Sequence, residues 1–187
     1  NQIYIMKGNG DGSFEAAVSY AALTYSATVR AADFDADGNL DIVAGTYNGS
    51  TGTLYFGNSD GTFKAPVSYG GRSIGFAADL NGDDKVDIVS GTGQVSIGNG
   101  DGTFLAPSTS YFGTTPHEID FGDFNADGNL DMVMKLSTVL RVALGNGDGT
   151  FNAYTSISGA SSMSDGGVLA GDFNGDGVDD FIELSMF

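Results

Sequence analysis

A chain of 187 residues with 41% hydrophobic and 11% aromatic content can bury a substantial core, and 30 glycines against 3 prolines call for many tight turns. Its 24 acidic and 7 basic residues give a formal net charge of -17, which repels nucleic acid and anionic membrane surfaces; no apolar run is long enough to span a bilayer, and the lack of cysteine excludes disulfides and thiol chemistry. A soluble, turn-rich globular domain is expected, with no nucleic-acid partner and no membrane insertion; the chain opens at Asn1 without a signal-like segment, so any targeting peptide is expected to have been removed.

In chain order, Gln2 to Met6 and Ser13 to Ser19 read as short strands on either side of the turn GNGDGSF at 8–14. A tyrosine-bearing connection at 20–25 leads to the strand-like run Thr28-Val-Arg-Ala-Ala and then to DFDADGNLD at 33–41, which puts four carboxylates into nine residues. Leu40-Asp-Ile-Val-Ala, a second connection at 47–51, Thr53-Leu-Tyr-Phe, the turn GNSDGTF at 57–63 and Phe63-Lys-Ala-Pro-Val complete a unit. The unit then returns. Acidic segments recur as DLNGDDKVD at 79–87, DFNADGNLD at 123–131 and DFNGDGVDD at 172–180, and the turn recurs as GNGDGTF at 98–104 and 145–151.

No stretch has sustained helical periodicity, so each unit reads as a four-stranded antiparallel meander. Runs such as Val86-Asp-Ile-Val and Leu130-Asp-Met-Val-Met are apolar on both strand faces, as expected when each small sheet is covered on both sides by its neighbours. The expected fold class is all-β: a single β-propeller domain over 1–187, built from four-stranded antiparallel blades. Whole blades fall at about 26–69, 72–110 and 116–157, and a split blade combines 167–187 with 1–20, giving four blade equivalents per chain. The terminal halves either join within one chain or are exchanged with a second copy, the route open to a homo-oligomer. Self-closure needs no partner and is the expectation.

Numbered from its first aspartate, each acidic segment has oxygen-bearing side chains at positions 1, 3, 5 and 9. These are Asp33, Asp35, Asp37 and Asp41; Asp79, Asn81, Asp83 and Asp87; Asp123, Asn125, Asp127 and Asp131; Asp172, Asn174, Asp176 and Asp180. Position 7 varies as Asn39, Lys85, Asn129 and Val178, which suits a ligand that offers only its backbone carbonyl. Aspartate and glycine also mark ordinary turns, but a turn does not explain a carboxylate at the ninth position inside an apolar strand in all four copies. Alternate oxygens in a curled loop suit Ca2+, about four ions per chain. Magnesium rarely takes an all-protein cage, and zinc would want histidine or cysteine.

Together, the acidic segment, the apolar strand and the GNGDGTF turn resemble the VCBS and FG-GAP repeats, the integrin-α-like calcium-binding propeller blades also found in some fungal lectins. The resemblance covers essentially the whole chain. It implies a calcium-stabilised propeller at an extracellular or cell-surface location that serves adhesion or ligand binding.

In such a blade both recurring motifs share one face, and the opposite face receives longer, less alike connections rich in tyrosine, glycine and serine. Tyr47, Tyr69, Arg72, Tyr111 and His117 are candidate ligand-binding residues there, since aromatic faces beside hydroxyl groups suit sugar rings. Tyrosines wedged between blades are the alternative. No residue pattern supports catalysis, so the expectation is a non-enzymatic module that binds carbohydrate or an extracellular protein. The alternatives are an accessory propeller of a polysaccharide-degrading enzyme, with carboxylates such as Glu118 and Glu183, and a purely structural or assembly module.

Overall fold

β-branched and aliphatic runs bounded by glycine-rich turns have little choice but to pair with the next run along. The computed structural model describes residues 2–22, 26–46, 52–69, 74–108, 116–136, 139–157 and 167–184. Its strands are β1 (Gln2–Ile5), β2 (Val18–Ala21), β3 (Ser26–Ala32), β4 (Asp41–Thr46), β5 (Gly52–Tyr55), β6 (Val67–Tyr69), β7 (Ile74–Ala78), β8 (Asp87–Ser90), β9 (Val95–Ser96), β10 (Glu118–Gly122), β11 (Asp131–Lys135), β12 (Leu140–Ala143), β13 (Thr155–Ile157), β14 (Val168–Gly171) and β15 (Asp180–Glu183). Among the described residues there is no helix, and so none long and apolar enough to cross a membrane.

Two units form complete antiparallel meanders, β3-β4-β5-β6 and β10-β11-β12-β13. The unit between them has three paired strands, β7-β8-β9. Its fourth position is taken by the segment ending in Ser108, whose backbone N–H donates to Val95 O at 2.8 Å, while Leu105 N–H donates to Ile97 O at 2.8 Å. Pro107 lies between these two bonds and has no N–H to give, so no regular ladder forms there. In the first unit the strand expected from Phe63 begins later, at Val67 after Pro66, and Phe63 adds only a single bridge to Gly57.

The first strands of successive sheets lie beside one another, β3 with β7, β7 with β10 and β10 with β14, as in the hub of a propeller. The second strands of the three whole blades are buried on both faces: β8 and β11 are wholly buried, and β4 has only Ile42 part-exposed. The core therefore sits between the sheets. Phe34, Val43, Leu54, Tyr69 and Ile88 fill the space between the first and second blades. Val89, Ile119, Phe121, Met132 and Met134 fill the next, where Phe76 stacks on Phe121 with centroids 4.2 Å apart.

The terminal strands form two separate two-stranded sheets, β1-β2 and β14-β15, and no ladder joins β1 to β15 among the described residues. Among the described residues the expected closure of the split blade is not shown. Each half-blade is held instead on the blade next to it. Tyr20 makes edge-on contact with Phe63 at 5.5 Å, the Tyr55 hydroxyl donates to Ala21 O, and Lys7 donates to Asp60 O. At the other end Asp120 accepts the Ala170 N–H at 2.7 Å, Asp179 accepts the Asp123 N–H at 2.8 Å, and the buried Lys135 ammonium pairs with Glu183.

Candidate metal loops and an interblade groove

Each acidic segment is a run of bends between the first and second strands of its unit. Its opening aspartate curls the chain by accepting backbone N–H groups ahead of it. Asp33 takes those of Asp37 (3.1 Å) and Gly38 (2.8 Å), and Asp123 takes those of Asp127 (3.1 Å) and Gly128 (2.8 Å). Asp79 takes Gly82, Asp83 and Asp84, while Asp172 takes Gly175, Asp176 and Gly177. Position 5 then accepts from position 7: Asn39 to Asp37, Lys85 to Asp83, Asn129 to Asp127 and Val178 to Asp176. The side chain of Asn39 also turns back to Asp37, at 2.8 Å.

This curl requires left-handed backbone at positions 4 and 6. Position 6 is Gly38, Gly128 and Gly177 at φ near 87°, but Asp84 at φ 63° in the second loop; position 4 includes Ala36 at 55° and Ala126 at 58°. Non-glycine residues pay for such conformations in strain, and here they occur in the loops alone among the described residues.

The ninth-position aspartate does a different job. Asp41, Asp87 and Asp131 are fully buried, and each holds two backbone N–H groups, one from its own loop and one from the GNGDG-type turn. Asp41 accepts from Phe34 (2.8 Å) and Gly57 (2.7 Å), Asp87 from Leu80 (2.9 Å) and Gly98 (2.8 Å), and Asp131 from Phe124 (3.0 Å) and Gly145 (2.8 Å). The two recurring motifs are thus stitched together by one carboxylate. The in-register recurrence of the turns with the acidic segments was the signal of this link.

Burial pushes the Asp87 and Asp131 carboxyls up, against the pull of the N–H groups they accept. Burial also acts on Asp79, but the backbone N–H groups of Asp84, Gly82, Asn81 and Asp83 outweigh it and hold its carboxyl below the usual range. Asp172 is held down by Gly177 and Gly175. Asp35 is pushed up, first by burial and then by the charges of Asp41 and Asp37.

Oxygens of Asp33, Asp35 and Asp37 all lie within 4.8 Å of one another. The Asp35 Oδ1 atom is buried and accepts no hydrogen bond. An all-oxygen donor set with an unspent buried carboxylate oxygen fits a hard dication such as calcium. Asn81, Asn125 and Asn174 offer a neutral carbonyl oxygen at the place of Asp35, and each accepts the N–H of its position 5.

Of the candidate ligand residues, Tyr47, Arg72 and Tyr111 lie outside the described residues. Tyr69 is buried between the first two blades, its ring edge-on to Phe104 at 5.1 Å, and burial pushes its hydroxyl pKa up. His117 is exposed and its N–H caps β11 at Lys135 O, 2.8 Å away. A groove of about 520 Å³ opens beside Tyr69. Its apolar wall includes Phe56, Val67 and Leu105, and its polar groups include Ser68, Asp101 and Thr103.

Small antiparallel sheets set side by side around their first strands, each with the same acidic loop, define a repeat protein of the β-propeller class. The chain belongs to the FG-GAP-like repeat family, whose model matches residues 1–44, 33–90, 79–134 and 137–182. No curated protein matches it significantly. Nine solved chains do. Among them is an Agrocybe aegerita lectin, described as recognising non-reducing terminal N-acetylglucosamine, with 26% identity and a TM-score of 0.69. The match covers 96% of this chain and 54% of the lectin, so the chain spans about half the length of that structure.

Proposed function

We propose that the chain is a calcium-binding, non-enzymatic recognition module that acts outside the cell and takes carbohydrate as its ligand. The observation that carries the carbohydrate reading is the likeness to a sugar-binding lectin over 96% of the chain. The interblade groove supports it. Sugar rings present apolar C–H patches and hydroxyls together, and the Phe56 ring beside Ser68, Asp101 and Thr103 offers a partner for each. The calcium reading is supported by the donor set of the four loops and by the unspent Asp35 oxygen.

Bound calcium would supply charge neutralisation to each loop, and Asp33, Asp35, Asp37 and their counterparts would hold it. The chain's own residues do the rest: Asp41, Asp87 and Asp131 fix their loops to the turns of the three whole blades, which shape the groove. Glycan-array binding with calcium and in excess chelator tests the reading. Retention of glycans ending in N-acetylglucosamine or another sugar, lost or weakened in chelator, is expected. An array on which nothing binds in calcium removes the carbohydrate assignment.

A further inference from the structure

The first acidic loop differs from the others in two places at once. It alone has aspartate at position 3, where Asn81, Asn125 and Asn174 stand in the other loops. Its turn alone is followed by a lysine, Lys64, where the other turns continue with Glu15, Leu105 and Asn152. The structure brings the two differences together. Lys64 Nζ lies 3.7 Å from Asp35 Oδ2 and 3.5 Å from Asp37 Oδ2, with its ammonium 5.6 Å from the Phe56 ring centroid.

These separations are ion-pair distances, longer than a formed N–H···O hydrogen bond, and the Lys64 side chain is about half exposed. The ammonium is therefore a counter-ion on a flexible stem rather than a locked strut. The second loop shows the same compensation. It has an additional aspartate, Asp84, in place of the loop glycine, and it carries Lys85, whose Nζ is 3.4 Å from Asp83 Oδ2. Both loops thereby return to the net charge that the third loop reaches with Asp123, Asp127 and Asp131 and no lysine.

We propose that Lys64 is a tethered competitor for the cation of the first loop: it neutralises the Asp33, Asp35 and Asp37 cluster when the metal is away and must swing out when a dication enters. This rests on the calcium reading of the loops. A dication and an ammonium drawn to the same carboxylates repel each other. The lysine therefore lowers the affinity of the loop with the most carboxylates at the proposed ligand positions, Asp33, Asp35, Asp37 and Asp41, and it keeps that loop folded at low calcium. Among the described residues Lys64 is the lysine paired with that cluster, so its effect is local to one of four loops.

The test is a calcium titration of the full chain followed by amide NMR, with Gly38 reporting the first loop and Gly128 the third. Lys64→Met is expected to move the Gly38 midpoint to roughly tenfold lower calcium at low salt, the size of effect one nearby half-screened charge exerts. The Gly128 midpoint should not move, and Lys64→Arg should keep the wild-type Gly38 midpoint. In chelator, Lys64→Met should also melt at a lower temperature than wild type, and adding Asp35→Asn should restore the loss. A Gly38 midpoint that Lys64→Met leaves unchanged or weakens overturns the proposal. Failure of both Gly38 and Gly128 to respond to calcium in the wild-type chain removes the calcium reading itself, and with it the proposal.

Discussion

At the residue scale, the glycine that opens the GNGDG-type turn of each whole blade, Gly57, Gly98 or Gly145, is dictated by the loop that crosses it. A Cβ at Gly98 would stand 2.2 Å from Val86 O, and one at Gly57 or Gly145 would meet the carbonyl of Leu40 or Leu130 at 2.3 and 2.2 Å. These are backbone atoms that cannot turn aside, whereas a Cβ at Gly10 would meet nothing and face only the strain of φ 84°. Gly98→Ala should cost about 2 to 4 kcal/mol in urea unfolding, against about 1 to 2 for Gly10→Ala. Equal losses would mean that the close approach does not matter. The N–H of the same glycine is held by Asp87, together with that of Leu80. Asp87→Asn keeps one acceptor and turns an amide NH2 towards the other donor, so it should cost about 1 to 3 kcal/mol. The loss should appear in chelator as well as in calcium, because the tether does not depend on a metal. A loss confined to calcium would make Asp87 a ligand and nothing more.

At the element scale, the turns repeat one hydrogen-bond set. Asp11, Asp60, Asp101 and Asp148 each accept the hydroxyl and the backbone N–H of the residue two further on, Ser13, Thr62, Thr103 and Thr150. Those bonds, the hydroxyl first, hold all four carboxyls below the usual range. A depressed pKa adds stability that is present above the unfolded value near 3.9 and is lost as pH falls through the folded value. Thr103→Val should therefore raise the Asp101 pKa towards the ordinary value in a carboxylate NMR titration while Asp148 stays put, and an unmoved Asp101 would rule out the hydroxyl as cause. These turns were legible in the sequence because a two-residue Asp-to-Thr spacing is local chemistry. So were the antiparallel meanders, whose apolar runs such as Leu130-Asp-Met-Val-Met became the buried β11. The irregular fourth edge of the second blade was not legible, because Pro107 permits either a short strand or a loop until its neighbours are placed. Nor was the reach of Lys64 to Asp35 and Asp37, which depends on how the turn folds back over a loop more than twenty residues earlier. The left-handed alanines Ala36 and Ala126 were hidden for the same reason: alanine at φ 55° and 58° has no sequence signature, since only the closed loop demands it.

At the scale of the whole molecule, the proposed calcium sites would couple metal binding to folding. A ligand that binds only the folded chain at a hundred times its dissociation constant adds about 2.7 kcal/mol per site, and a domain of this size gains roughly 2 to 4 °C per kcal/mol. Excess chelator should thus lower the melting temperature by several degrees for each site that had been filled, calcium should restore it and sodium should not; coincident melts in calcium and chelator would separate the metal from the fold. The two half-blades set the last expectation. Ile182 is 52% exposed, yet its counterparts in the whole blades, Val43, Val89 and Val133, are 0%, 1% and 0% exposed. Phe14 is 67% exposed where the equivalent Phe151 is 7% exposed. Among the described residues Asp180 accepts the Phe173 N–H at 3.3 Å but no turn glycine, while Asp41, Asp87 and Asp131 each hold one; the glycine at the matching place is Gly8. Strands β1 and β15 are thus open edges of one blade pattern, and an open apolar edge recruits a matching one. The isolated 187-residue chain should associate through these edges, with β1 of one copy laid against β15 of another and the Gly8 N–H brought to Asp180. Light scattering should show mass rising with protein concentration, and Ile182→Lys should return the chain to a monomer without loss of its β-sheet circular dichroism. A wild-type chain that stays monomeric at high concentration would show that the half-blades do not pair between copies.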